Sequence, residues 1–223
     1  MCRFISFFHR PDNGDVAVYD LTSHGNTEQH LNLNLNLWRE GHWLPDGNLE
    51  CRTDNDRTSS EKCNERILAR YGNFWNFYSW CIKQNVICSE GLDLSGCDLS
   101  KVKELNLPTS IRGSLYLSGC DLSKVKKWPT SIRGSLYLSG CDLSKVKELN
   151  LPTSIGGSLY LSGCDLSKVK KWPTSIRGGL DLSGCDLSKV KEWPTSIRGG
   201  LDLSGCDLSK VKIPTKFKNK IIY

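Results

Sequence analysis

The ten-residue string LSGCDLSKVK recurs six times without change, beginning at Leu94, Leu117, Leu138, Leu161, Leu182 and Leu203. A chain that repeats itself at this fidelity reuses one local conformation, so each position of the unit becomes a column of equivalent residues. A unit this short cannot bury an apolar face alone, and neighbouring units must stack to make a continuous core. Stacking of that kind builds an extended surface, which directs the functional reading toward binding and away from catalysis.

Within each unit Leu-x-Leu-x-x-Cys-x-Leu recurs, as in Leu115, Leu117, Cys120 and Leu122, with Val125 following. The stretch Ser114-Leu115-Tyr116-Leu117-Ser118 alternates with period two, which predicts a short strand with both leucines inward and Tyr116 outward. One such strand per unit predicts a parallel sheet. The cysteine is expected to pack inside the turn after the strand, with Leu122 and Val125 closing the core. On the return path Glu-Leu-Asn-Leu-Pro at 104–108 and 148–152 alternates with Trp128-Pro129, Trp172-Pro173 and Trp193-Pro194. One indole in place of two leucines would keep core volume nearly constant while the backbone shortens by two residues. Ile111, Ile132, Ile155, Ile176 and Ile197 follow in register, ahead of glycines expected to turn the chain into the next strand.

The repeat cysteines Cys97, Cys120, Cys141, Cys164, Cys185 and Cys206 stand 23, 21, 23, 21 and 21 residues apart, the period of short leucine-rich repeats. With units reading LPxSIxGSLxLSGCxL, residues 90–217 resemble bacterial and phage-type leucine-rich repeat proteins with Leu-Pro linkers. The expected fold is an α/β repeat solenoid: a short leucine-rich repeat arc with a parallel β-sheet, preceded by a small α+β head. The expected organisation is a head and amino-terminal cap over 1–89, six repeats over 90–213 and a carboxy-terminal cap over 214–223. In that cap Phe217, with Ile221 or Ile222, is expected to shield the last layer.

Residues 1–89 differ in character. Phe4 to Phe8 and Asp15 to Tyr19 flank Asn13-Gly14, a hairpin signal, and a second extended pair is expected from Trp38 to Arg52 around Pro45-Asp46-Gly47. Helices are expected over 23–33 and within 59–84, where Phe74, Trp75, Phe77, Tyr78, Trp80 and Ile82 make an apolar segment expected to dock on the first repeat. This arrangement resembles the short heads that precede repeat arrays in phage and other mobile-element proteins.

Charge follows the same division. Residues 1–89 hold 9 Lys+Arg against 11 Asp+Glu and residues 90–223 hold 21 against 13, giving net charges of −2 and +8. The positive charge belongs to the repeats and favours nucleic acid, acidic proteins or anionic surfaces. No apolar run approaches the roughly 18 residues of a membrane span, and the opening segment lacks a signal peptide's pattern. No membrane association is expected, and the expected location is the cytoplasm of a bacterial cell, including one infected by phage. Six of the 11 cysteines sit at one repeat position, so they read as a packing column of thiols and not as a disulfide scaffold.

Candidate chemistry is sparse. Met1-Cys2-Arg3 matches the opening of amidotransferases whose exposed amino-terminal cysteine is activated by its own amine. Those enzymes need a much larger layered domain than one ending near residue 89, so no catalytic residues are expected. His9, His24, His30, His42, Cys51, Cys63, Cys81 and Cys88 are metal-type ligands without a paired short spacing, so no metal site and no cofactor are expected. Asp98, Asp121, Asp142, Asp165, Asp186 and Asp207 form a column expected to cap turn N–H groups.

Two surface columns remain. Tyr116, Tyr137 and Tyr160 occupy the outward face of the middle strands, bordered by Asp93 before and Asp181 and Asp202 after, and this stripe is the expected protein-binding face. The other is the lysine column Lys101, Lys103, Lys124, Lys126, Lys145, Lys147, Lys168, Lys170, Lys189, Lys191, Lys210 and Lys212, the alternative being that it tracks an RNA or DNA backbone. The expected function is a non-enzymatic adaptor or inhibitor that binds a protein. The phage-like resemblance implies a bacterial host factor, such as a defence nuclease, as partner.

Overall fold

In the head the strand β1 (Ile5–His9) is buried along its whole length. It lies centrally in an antiparallel sheet of order β2 (Val16–Ala17), β1, β3 (Arg39–Trp43) and β4 (Leu49–Cys51). In this computed structural model the described residues are 5–223 except 11, 14, 35–36, 52–56, 85 and 87, and the side chains of 24, 25, 57–59 and 101 also lie outside the description. The chain divides into two compact units, Met1–Glu90 and Gly91–Tyr223.

Period-two alternation puts Ile5, Phe7 and His9 on one face of β1. Phe7 stands opposite Gly41, which in turn stands opposite Cys51. A Cβ at Gly41 would lie 2.4 Å from the Phe7 ring, so only glycine lets that ring cross the sheet. Helix α1 (His24–Leu31) starts at Ser23, whose hydroxyl accepts the Asn26 N–H. Helices α2 (Arg57–Tyr71) and α3 (Phe74–Lys83) are separated by Gly72, at φ +78°, and Asn73, whose side chain accepts the Asn76 N–H. Helix α3 brings Phe77 against Phe7 (ring centroids 5.2 Å), Trp43 (5.2 Å) and Tyr71 (4.9 Å), making the aromatic centre of the head. The fully buried Asp20 carboxylate is satisfied by Thr22, Asn26 and Ser89 donors.

In the second unit the strands Gly91–Asp93, Ser114–Tyr116, Leu136–Tyr137, Leu159–Tyr160, Leu180–Asp181 and Leu201–Asp202 form one parallel ladder, completed by Ile221–Ile222. Leu92, Leu115, Leu136, Leu159, Leu180 and Leu201 pair in register, each buried. The alternation at Ser114–Leu117 thus produces the expected strand, side by side with its copies.

One strand per unit is expected from the alternation; the structure adds a second ladder, and four units carry a third short strand as well. Ser110–Ile111, Ser131–Ile132, Ser154–Ile155, Ser175–Ile176 and Ser196–Ile197 make a second parallel ladder. Its isoleucines are all buried, so a residue pair read as the lead-in to a turn is itself a layer of the core. Among the described residues of this unit the only helices are short 3₁₀ turns, such as Leu122–Lys124 and Leu166–Lys168.

The Trp-Pro units also differ from expectation. Leu105, Leu107, Leu149 and Leu151 are buried, whereas Trp128, Trp172 and Trp193 are only half-buried. Val125–Lys127 pairs with Leu105–Asn106, and Val169–Lys171 with Leu149–Asn150, each across a register shift. At Trp128 and Trp172 the two-residue difference is absorbed by this bulge as well as by the ring, which leaves those indoles partly in solvent.

At the carboxy end Phe217 is 2% exposed and Ile221 pairs with Leu201, while Ile222 is 52% exposed. Lys220 donates to the Ile197 and Arg198 carbonyls, and Lys216 to those of Pro194 and Thr195. These ammonium groups satisfy the carbonyls that the next strand of the second ladder would otherwise take.

Candidate functional site

The first ladder contains two kinds of strand. Its middle three read Ser-Leu-Tyr, at 114–116, 135–137 and 158–160; the flanking ones read Gly-Leu-Asp, at 91–93, 179–181 and 200–202. In the middle three, Ser114 Oγ accepts the Ser135 N–H, Ser135 Oγ accepts the Ser158 N–H and Ser158 Oγ accepts the Gly179 N–H, each at 2.9 Å. This hydroxyl ladder ends where the tyrosine column ends.

In-register pairing brings Tyr137 onto Tyr116 and Tyr160, with ring centroids 4.4 and 4.6 Å apart and planes tilted by 7° and 10°. The separations are close to the strand spacing of about 4.8 Å, so the rings stack without pulling the strands out of register. Each ring covers its neighbour's face. The half-buried stack therefore presents its edge, and its two ends lie beside Asp93 and Asp181. The Tyr137 phenol is pushed above its ordinary value, first by burial and then by the phenols of Tyr116 and Tyr160.

The bordering aspartates are held by the backbone. Asp93, Asp181 and Asp202 each accept, through Oδ1, the N–H of the serine two residues on, at 2.9 Å. Asp93 is 8% exposed, so it is a buried acceptor and not the outward contact the alternation suggested. Asp181 and Asp202 are half-buried and frame the stack on one side. Hydrogen bonds from the Ser204 hydroxyl and N–H hold the Asp202 carboxyl below its ordinary value.

The other aspartate column caps turns. Asp98, Asp121, Asp142, Asp165, Asp186 and Asp207 accept the N–H of Ser100, Ser123, Ser144, Ser167, Ser188 and Ser209 at 2.9 to 3.0 Å. Lys103, Lys126, Lys145, Lys147, Lys170, Lys189, Lys191, Lys210 and Lys212 are exposed, Lys124 and Lys168 are half-buried, and the Lys101 side chain lies outside the described residues. Lys145 Nζ stands 3.8 Å from the Asp121 carboxylate of the preceding unit, an exposed pair that offsets part of the column's charge. Lys170, Lys189 and Lys191 converge with Trp172, Leu166 and Val190 on a cleft of about 410 Å³. No family model matches this chain, and no curated protein or solved structure does.

One cluster in the head is invisible to the spacing of its residues. His9 at the end of β1, Cys51 at the end of β4 and Cys63 in α2 bring their ligand atoms within 4.8 Å of one another, all buried. His9 Nδ1 is 3.0 Å from Cys63 Sγ. Cys51 as hydrogen-bond donor, followed by His9 and the nearby Arg66, holds the Cys63 thiol below its ordinary value and leaves the Cys51 thiol raised. The sequence reading paired none of these residues, and only the sheet alternation of His9 with Phe7 could have signalled a polar group facing the core. Met1, Cys2 and Arg3, the segment similar to an amidotransferase opening, lie outside the described residues. Among the described residues no helix is long and apolar enough to cross a membrane.

Proposed function

We propose that the protein is a non-enzymatic binding protein whose stacked repeats form a leucine-rich-repeat-type solenoid, with the Tyr116–Tyr137–Tyr160 stack as its contact surface for another protein. The observation that carries this reading is the confinement of the stack to the three Ser-Leu-Tyr strands. Units that are otherwise near copies carry Asp at the same position, so the ladder itself does not require an aromatic residue there. Three rings fixed by one another lose little conformational freedom on binding, and their edges combine apolar area with hydroxyls that donate or accept. Asp181 and Asp202 beside the stack favour a partner that brings a cationic group to that edge.

The test is affinity capture with the wild type and with a Tyr116→Ser/Tyr137→Ser/Tyr160→Ser variant, after nuclease treatment of the lysate. A protein retained by the wild type and lost with the folded variant supports the reading; equal retention removes this face from consideration.

A second reading is favoured by the Trp172 cleft. A half-exposed indole beside Lys170, Lys189 and Lys191 matches the pairing of stacking platform and phosphate contact used to hold single-stranded nucleic acid. It requires gel-shift affinity for short RNA or DNA that falls steeply with salt and weakens on Trp172→Ala substitution. Absence of any shift at low salt leaves the lysines as solubilising charge.

A further inference from the structure

We propose that His9, Cys51 and Cys63 form a structural site for a divalent, thiolate-preferring metal ion of the zinc class, which ties β1, β4 and α2 of the head together. Phe7, Gly41 and Cys51 lie in one row across the sheet, and period-two alternation puts His9 on the same face. Helix α2 supplies Cys63, one turn before the buried Ile67. Three elements distant in sequence therefore deliver one nitrogen and two sulfurs to a single point.

The geometry suits such an ion. Metal–sulfur bonds of about 2.3 Å and metal–nitrogen bonds of about 2.0 Å in a tetrahedral site hold ligand atoms roughly 3.5 to 3.8 Å apart. The three atoms here lie within 4.8 Å of one another, with His9 Nδ1 and Cys63 Sγ 3.0 Å apart, so shifts of about an ångström or less seat the ion. Sulfur and imidazole ligands select zinc-class ions over magnesium or calcium. Charge points to a dication: His9, Cys51 and Cys63 are 0, 3 and 1% exposed, and two thiolates with a neutral imidazole leave a bound dication electrically balanced in a place where net charge is costly. Among the described residues three protein atoms converge, which leaves one tetrahedral position for a further ligand. Among the described residues the cysteines form no disulfide, so a metal ion would be the one cross-link of this small unit.

The full-length protein, purified under reducing conditions and stripped with a chelator, is titrated with Co²⁺ and then Zn²⁺. The expected result is one Co²⁺ per chain with a thiolate-to-cobalt charge-transfer band that Zn²⁺ abolishes. Among the described residues all α-helices lie in the head, so the helical circular-dichroism signal reports that unit, and it should melt at a higher temperature with Zn²⁺ than without. Cys51→Ser and Cys63→Ser should each weaken binding by more than about 100-fold, and Cys97→Ser should not. If the ligand variants do not fold, the wild-type titration and melt decide. The proposal is overturned if the wild type shows neither band nor Zn²⁺-dependent melting, if a folded Cys51→Ser/Cys63→Ser double variant keeps the band, or if the purified chain, denatured with chelator present, has a Cys51–Cys63 disulfide and so two fewer titratable thiols than its 11 cysteines.

Discussion

Cys164 Sγ donates to the backbone carbonyl of Leu138, in the preceding unit, at 3.1 Å. The same bond joins Cys120 to Leu94, Cys141 to Leu117, Cys185 to Leu161 and Cys206 to Leu182, at 3.0 to 3.1 Å. The cysteine column is thus both filler and fastener: a small apolar side chain that fits the inside of the turn, with a weak donor aimed at the unit before it.

Cys164→Ala removes that donor and opens a small void beside Leu161 and Leu166. The Leu138 carbonyl keeps the Cys141 N–H, so the expected loss is about 1 kcal/mol, smaller than for an orphaned buried acceptor. Cys206, half-buried in the last unit, should lose less on the same change. Urea unfolding of both variants checks this; equal losses would show that burial does not set the size of the column's contribution.

Burial raises thiols in the middle of the column, to about 12 at Cys141 and about 11 at Cys185, from an ordinary value of 9.0. Between those values the folded chain retains protons that the unfolded chain has released, so this contribution is complete below pH 9 and is lost as pH rises toward 11 and 12. Stability measured from pH 8 to pH 11 should fall, and should fall less steeply in Cys141→Ala. Identical slopes in the two proteins would remove the thiols as the cause.

Tyr137 has a ring on both sides, whereas Tyr116 and Tyr160 each have one. Each stacked pair contributes about 0.5 to 1 kcal/mol, so Tyr137→Ser should destabilise the protein roughly twice as much as Tyr160→Ser. Thermal melts of the single variants test the ratio. A loss at Tyr137 no larger than at the end positions would mean that the rings touch without mutual stabilisation.

Lys220 lies over the carbonyls of Ile197 and Arg198 at the open end of the second ladder. Lys220→Ala should lower stability by about 1 kcal/mol and speed amide exchange of the last unit, while the same change at exposed Lys218 should do neither. Hydrogen exchange followed by mass spectrometry separates the two, and matching exchange in both variants would argue against a capping role.

How far each of these features could be read in advance depended on the reach of the interactions behind it. The leucine column at Leu92 through Leu201 was legible because a repeat turns one local pattern into many aligned copies, and alternation over Ser114–Leu117 says which side each residue takes. The second ladder was not, because Ser-Ile is two residues long, too short for alternation to declare a strand. The partial exposure of Trp128 and Trp172 depended on a bulge against the neighbouring unit, and volume counting carries no information on register. The burial of Asp93 was likewise set by what packs around it.

The amino-acid sequence alone determined that the units of residues 90–213 stack like on like, because identical units separated by nearly constant spacing have one way to align their apolar columns. Only the tertiary structure decided which polar groups meet. Tyr137 is sandwiched because parallel pairing is in register, and His9 reaches Cys63, 54 positions away, because an antiparallel sheet and a helix close on one face. Periodicity is a local property that a sequence displays directly; convergence of distant side chains follows from strand order and helix packing, which no local pattern encodes.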